Sequence, residues 1–301
     1  MDDLRRREML VADGLLLLTT LIWGSAFAVV KTSLDVFAPA QLVFCRYAIA
    51  SLAGAVLFWP HLRHVGLREV MQGAEVGLVL GMAYLVQTMG LKETTAGKNA
   101  FLTTIYVLAV PMLGALFLRE KIRRRTWMAA CLMLAGIGAL SLDGESGGLT
   151  RGDLLTLLSG LFFALHIIEV DRRQKTMDKY ALIELQFIFC CLTALLWHLL
   201  LERGAPPLRL ERGPVMGLLY LSIFSTLGGM SMQNIGQSMT PASHASIILS
   251  LESVFGVAFS CLLLGERPTV MMFIGFALIF IAQLFNQLDS AEIKERGQAE
   301  A

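Results

Sequence analysis

The chain is expected to fold as an all-α polytopic membrane protein, about ten transmembrane helices arranged as two inverted five-helix repeats. Three observations lead there. Of the 301 residues 55% are hydrophobic and only 16% charged, with a mean hydropathy of +0.64, which is too apolar to coat a soluble domain of this size. The apolar residues gather in ten runs, most of them close to the roughly 20 residues that a helix needs to cross hydrocarbon. One stretch is also written twice: Gln87 to Lys121 (QTMGLKETTAGKNAFLTTIYVLAVPMLGALFLREK) lies without gaps on Gln233 to Arg267 (QNIGQSMTPASHASIILSLESVFGVAFSCLLLGER) at a shift of 146 residues.

The register of that repeat rests on the order of its landmarks. Gln87 meets Gln233, Gly90 meets Gly236, Thr94 meets Thr240, Ala96 meets Ala242, and after a long apolar run Glu120-Lys121 meets Glu266-Arg267. Earlier parts of the halves correspond at a shift of 140, where Trp23-Gly24 meets Phe163-Ala164 and Arg46 meets Gln186. The expected units are a first five-helix repeat over 10–142, a second over 152–288, and a cytoplasmic tail over 289–301, joined by a Gly-rich polar linker, DGESGGLTRG.

In chain order, the apolar runs fall near 12–31, 40–60, 70–91, 97–118, 126–142, 152–170, 181–201, 213–233, 241–264 and 269–288. The first is preceded by Arg5-Arg6-Arg7 and contains Ala26-Phe27-Ala28, which imitates a cleavable secretory signal. The apolar run continues through Val29-Val30, and the repeat needs this helix as the partner of the sixth, so Met1 to Glu8 is expected to persist as a short tail. The fifth run is short and carries Gly136 and Gly138. All five cysteines lie within apolar runs without metal-ligand spacing and read as small core hydrophobes.

Lys and Arg distribution sets the orientation. With both termini in the cytoplasm, 16 basic residues fall on that side, five of them between Arg119 and Arg125, against eight on the other. An odd number of spans per repeat then inverts the second half, so Glu120 is cytoplasmic and Glu266 external. The expected location is the inner (plasma) membrane of a bacterium. A formal net charge of +1 gives no sign of a nucleic-acid partner.

These residues resemble a known family. WGSAF in the first span, Pro39 followed seven residues later by Arg46, FLTTIYVLAVP in the fourth span and ASHASIILSLESVF followed by LLLGER in the ninth look like EamA-type members of the drug/metabolite transporter superfamily. The resemblance covers nearly the whole chain. It implies a carrier of small organic solutes, often amino acids or related metabolites and mostly outward, working through a cavity between the repeats. One departure is visible: Glu252 is followed by Ser253 where the family often has proline, which leaves a kink there open.

Ionisable or polar groups inside a span are costly unless they face a cavity or a partner, so they are the candidates for the transport site. Glu252 lies mid-span, and its repeat mate is Tyr106; the pair either faces a central cavity, meeting substrate or a proton, or ties helices together. Trp23 can line a cavity with its ring or pack as core. Arg46 is read as pinning helix ends near the outer interface, with anion binding second, and its neutral mate Gln186 argues against a strongly anionic solute. His166 and Glu169, one turn apart, read as an interfacial pair, and His166 is the further cavity candidate. Lys98 and its mate His244 read as rim residues with a secondary gating role, and Gln87 and Gln233 as caps of the short turns that follow them.

The parts of an intramembrane enzyme are missing: there is no nucleophile motif, no His-Glu-x-x-His and no phosphate loop, and adjacent Ser243-His244 point to different helix faces. A channel would show rings of like charge and a non-transporting membrane scaffold a soluble partner domain, and neither is visible in the sequence. The expectation is therefore a non-enzymatic transporter with a small-molecule substrate and a lipid surround, no cofactor and no metal. A facilitative or uptake carrier of the same family and a homodimer remain open.

Overall fold

A computed structural model describes residues 2–118, 124–142, 149–174, 176–205, 212–239 and 242–299; the side chains of 2–8, 114–118, 242–247 and 286–299, among others in those ranges, are outside the description. The described chain is helical: α1 Asp2–Ser33, α2 Pro39–Leu57, the short α3 Trp59–Leu62, α4 Leu67–Glu93, α5 Ala96–Thr103, α6 Tyr106–Leu118, α7 Arg124–Leu142, α8 Arg151–Gln174 and α9 Lys179–Leu201. The eighth span is composite, α10 Arg212–Leu219, a π-helical segment Tyr220–Gly228 and α11 Gly229–Met239, followed by α12 Ala242–Leu264 and α13 Val270–Ala299. Six helical runs are long and apolar enough to cross a membrane: Met9–Ser33, Pro39–Leu57, Leu67–Glu93, Arg151–Gln174, Lys179–Leu201 and Arg212–Gln233. Four shorter apolar helices, Ala96–Val110, Trp127–Leu140, Leu251–Leu264 and Val270–Phe285, occupy the remaining positions.

The packing pattern survives exchange of the two halves. α4 packs on α8 and α9, as the eighth span packs on α1 and α2; α1 packs on α12, as α8 packs on α5 and α6. The mated helices α2 and α9 pack on each other antiparallel: Ala40 meets Glu202 at one end, and Phe58 stacks on Tyr180 at the other. α5 and α12 do the same, with Gly97 beside Ser260 and Ala100 beside Gly256. Antiparallel pairing of equivalent helices is what a two-fold axis lying across the helices produces, and it is the physical content of an inverted repeat.

Helix ends inside a bilayer must find partners for their orphan N–H and C=O groups, because lipid supplies none. Two carboxylates of the second half cap helix starts of the first. The Glu202 carboxylate accepts from Ala40 and Gln41 N–H at the start of α2, at 2.9 and 3.2 Å. Glu266 accepts from Ala96 and Gly97 N–H at the start of α5, at 2.7 and 3.1 Å. Within the first half, Lys31 Nζ donates to the carbonyls of Leu91 and Thr94 at the end of α4, at 2.8 and 2.6 Å. Asp153 takes the Thr94 hydroxyl at 2.5 Å and closes the first turn of α8 with Thr150.

Two mid-span features differ from the uniform runs read in the sequence. The fourth span breaks at Thr104-Ile105, where the Thr104 hydroxyl folds back on the Phe101 carbonyl at 2.5 Å and receives an N–H from Gln283 of α13. Its mate α12 runs unbroken through Glu252 and Ser253, so the helix is not interrupted at the position where the family pattern left a kink open. Glu120 and Lys121, whose side of the membrane the basic cluster predicts, lie outside the described residues.

Candidate functional site

The site begins with α2, whose face toward the eighth span carries Arg46, only 6% exposed. Its Nε donates to Thr226 Oγ1 at 2.6 Å and an Nη donates to Ser225 Oγ at 3.2 Å. The guanidinium carbon lies 4.9 Å from the ring centre of Tyr84 on α4 and 5.7 Å from that of Tyr47. The tyrosines also pack edge-on, 5.3 Å apart, and Phe163 of α8 closes the other side of Tyr84 at 5.1 Å. A buried cation thus rests on neutral hydroxyls and π faces, a setting that stabilises a guanidinium without neutralising it.

The π segment makes this possible. Widening the helix by one residue per turn re-aims side chains and frees carbonyls from the usual ladder. Thr226 Oγ1 donates five residues back, to the Leu221 carbonyl at 2.8 Å, and so presents an acceptor to Arg46. The Ser225 carbonyl accepts the Trp23 indole N–H at 2.9 Å. Gly229 lets that indole approach, since a Cβ there would collide with Trp23 Nε1. Tyr220 at the head of the segment shares a 2.6 Å hydrogen bond with Ser25.

Glu252 enters from α12, half-buried, with Tyr84 and Tyr106 both within its electrostatic reach. Among the described residues it makes no hydrogen bond and no ion pair. Tyr84 thus has the Arg46 guanidinium against its ring and Glu252 within electrostatic reach. Four residues singled out by the sequence, Trp23, Arg46, Tyr106 and Glu252, meet around Tyr84 and the π segment, which contains two partners the sequence reading passed over, Ser225 and Thr226.

Several candidates are placed differently from their sequence readings. Arg46 neither snorkels nor pins backbone carbonyls; it is held by side chains. His166, buried, shares its Nε2 with Gln186 Oε1 at 2.8 Å, while Glu169 pairs with Arg172 and Arg173 instead of His166. The i,i+3 spacing permits contact on a helix, but the buried amide offered by α9 competes better for the imidazole than a carboxylate that faces two guanidinium groups. Gln87 does not cap the turn after α4: its amide donates to Thr103 Oγ1 at 3.1 Å, beside an Asn99 to Thr156 bond of 2.7 Å that ties α5 to α8. Lys98 is buried, 7% exposed, where a rim residue was read. Gln233 is half-buried on α11, and the side chain of His244 lies outside the description.

A pocket of about 310 Å³ opens at the end of the α2–α9 pair, lined by Pro39, Lys92, Trp197 and Glu202 among others, away from Glu252 and Arg46. Among the described residues no three His, Cys, Asp or Glu side chains gather as metal ligands. The arrangement suits a solute that offers an anionic group to Arg46, a cationic or hydroxyl group to Glu252, and a flat or apolar body to Trp23 and the tyrosines.

The model of the EamA-like transporter family matches this chain twice, over residues 10–142 and 150–286. An uncharacterized transporter of Archaeoglobus fulgidus is 32% identical over 289 residues, 93% of this chain and 87% of that protein. The biotin transporter of Escherichia coli K12 is 24% identical over 281 residues, 90% of this chain and 91% of its own length. The human adenosine 3'-phospho 5'-phosphosulfate transporter 1 is 30% identical over 211 residues, 64% of this chain and 46% of the relative. A solved crystal structure shares the fold, with a TM-score of 0.64 at 18% identity over 93% of this chain and 98% of that one.

Proposed function

Because the chain belongs to the EamA-like transporter family, we propose that it moves small organic metabolites, amino acids or related solutes, outward across the inner membrane. It does so by alternating access through the space between the two repeats. The observation that carries this reading is that Arg46 of the first repeat lies against the ring of Tyr84, while Glu252 of the second has Tyr84 and Tyr106 within its electrostatic reach. A zwitterion or a mono-anion with an apolar body fits that pair. A polyanion such as the cargo named for the phosphosulfate-transporting relative would call for further cations than the single buried guanidinium here.

The route is physically plain. Solute binding adds charge-matched contacts to Arg46 and Glu252, and the inverted repeats supply two packings of similar energy that expose the site to either side. Purified protein in liposomes, loaded with labelled amino acids, vitamins, nucleosides and polyamines in turn, tests the reading. Saturable flux of one class, competed by its unlabelled form, is expected. Non-saturable leakage of every solute at the same rate, or no flux for any, would remove the proposal.

A further inference from the structure

The seam between α2, α9 and the π segment contains a carboxyl that the central site does not use. Glu184, on the second turn of α9, is fully buried, and both of its side-chain oxygens lack a hydrogen-bond partner. Room for it is made by Gly54 on α2: a Cβ there would collide with Glu184 Oε2, and the same space is bounded by Leu227 of the π segment. Apart from the Tyr47 hydroxyl of α2, which is buried without a hydrogen-bond partner among the described residues, the nearby polar and ionisable groups are engaged elsewhere. Arg46 is bound to Thr226 and Ser225, His61 to Asp178, Glu75 to Arg173, His166 to Gln186 and Tyr220 to Ser25. Among the described residues no charged group acts on the Glu184 carboxyl.

An ionised carboxylate with neither donor nor counter-ion is far more costly in such a place than a protonated one, which leaves only dipoles unpaired. A hard monovalent cation in its stead would need several oxygen ligands, and among the described residues no hydrogen-bonding group is within reach of either carboxyl oxygen. We propose that Glu184 is a proton-binding site, separate from the central site, that holds its proton while α2, α9 and the π segment are packed as in this structure and releases it only when water enters the seam. The seam adjoins Arg46 through neighbouring residues of the same segment, Thr226 and Leu227, so occupancy of this site bears on the geometry of the other. The inference needs no knowledge of the solute.

Infrared spectroscopy of the purified full-length protein tests it, by comparing wild type with Glu184→Gln. The carbonyl stretch of a protonated carboxyl is expected in wild type at neutral pH, absent from the variant, and lost from wild type as the pH is raised. A wild-type spectrum without that extra band overturns the proposal, as does a band that sodium ions displace at constant pH, which would make the ligand a cation. Should the variant fail to insert, carbodiimide labelling of wild type replaces it, read by peptide mapping with Glu252 as the internal comparison. An adduct on Glu184 whose yield falls with rising pH supports the site. Labelling of Glu252 alone overturns it.

Discussion

Arg46 and Gln186 occupy equivalent places in the two repeats, yet they do opposite things. Arg46 carries a charge into the seam with the π segment and rests it on Ser225, Thr226 and Tyr84. Gln186 makes one neutral bond to His166 and packs its backbone against Gly77 of α4. The second pair of mates reverses the roles, for Tyr106 brings a phenol and Glu252 an ionisable acid. On the proposed site, duplication has kept the scaffold and divided the chemistry, a guanidinium from the first half and an acid from the second. A symmetric site would need to desolvate two like charges at one place, which costs more than placing opposite ones.

The all-or-none way to break the comparison is topological. If the halves are inverted mates, single cysteines at 120 and 266 in a background without native cysteines should differ completely toward an impermeant maleimide on intact cells. Position 266 is expected to react and position 120 to stay silent until the membrane is opened. Equal reaction at both would dissolve the equivalence on which the pairing of Arg46 with Gln186 depends.

Next in size is Glu252→Gln, which keeps shape and hydrogen bonding but removes the charge. Loss of charged hydrogen bonds to a solute or proton, about 1.5–3 kcal/mol each, corresponds to at least about a tenfold fall in transport. Abolished or uncoupled flux from a monodisperse, membrane-inserted variant is expected. Wild-type flux with unchanged pH dependence would make Glu252 a packing residue and move the site toward Trp23, Tyr106 and His166.

Arg46→Gln gives the first repeat the residue of the second. The guanidinium stays buried among neutral partners, so its loss removes the cation that, among the described residues, faces the aromatic cluster. Affinity for an anionic group should fall by about tenfold or more, consistent with the worth of a charge-assisted hydrogen bond. Arg46→Lys should recover only part of it, because an ammonium cannot bridge Ser225 and Thr226 while stacking on Tyr84. Thermal-shift titration with the solute identified in liposomes measures both variants, and equal midpoint shifts for Arg46→Gln and wild type would count against an anion-binding role.

Much of this was legible in the sequence because membrane physics writes plainly. Apolar runs set the spans, the rarity of charges in them exposed Arg46 and Glu252, and the shift of 146 residues matched Glu252 with Tyr106 before any geometry was known. Other parts were hidden for identifiable reasons. Tyr84 reads as one aromatic in an apolar run, and Ser225 and Thr226 read as small helix-packing residues; only the π segment, which alternation of apolar residues does not announce, turns them toward Arg46. Glu184 was open to the same argument as Glu252, being a carboxylate inside the run over 181–201, and its place near the start of that run concealed it among interfacial residues. His166 was paired with Glu169 by spacing along one helix, whereas its partner comes from another helix 20 residues away.

The smallest effect separates scaffold from site. Gln186→Ala removes the amide from the buried His166 and leaves its ring nitrogen without the 2.8 Å partner it has now. A buried polar group stripped of its partner costs about 1–3 kcal/mol, so the variant should unfold at a lower temperature or denaturant concentration than wild type. Flux per folded molecule should change by less than about threefold, since Gln186 brings no charge to the cluster and its bond lies between α8 and α9. If Gln186→Ala instead lowered flux as far as Arg46→Gln while leaving stability untouched, the two mates would be doing the same work. The division of chemistry between the repeats would then have to be replaced by a site that both halves build alike.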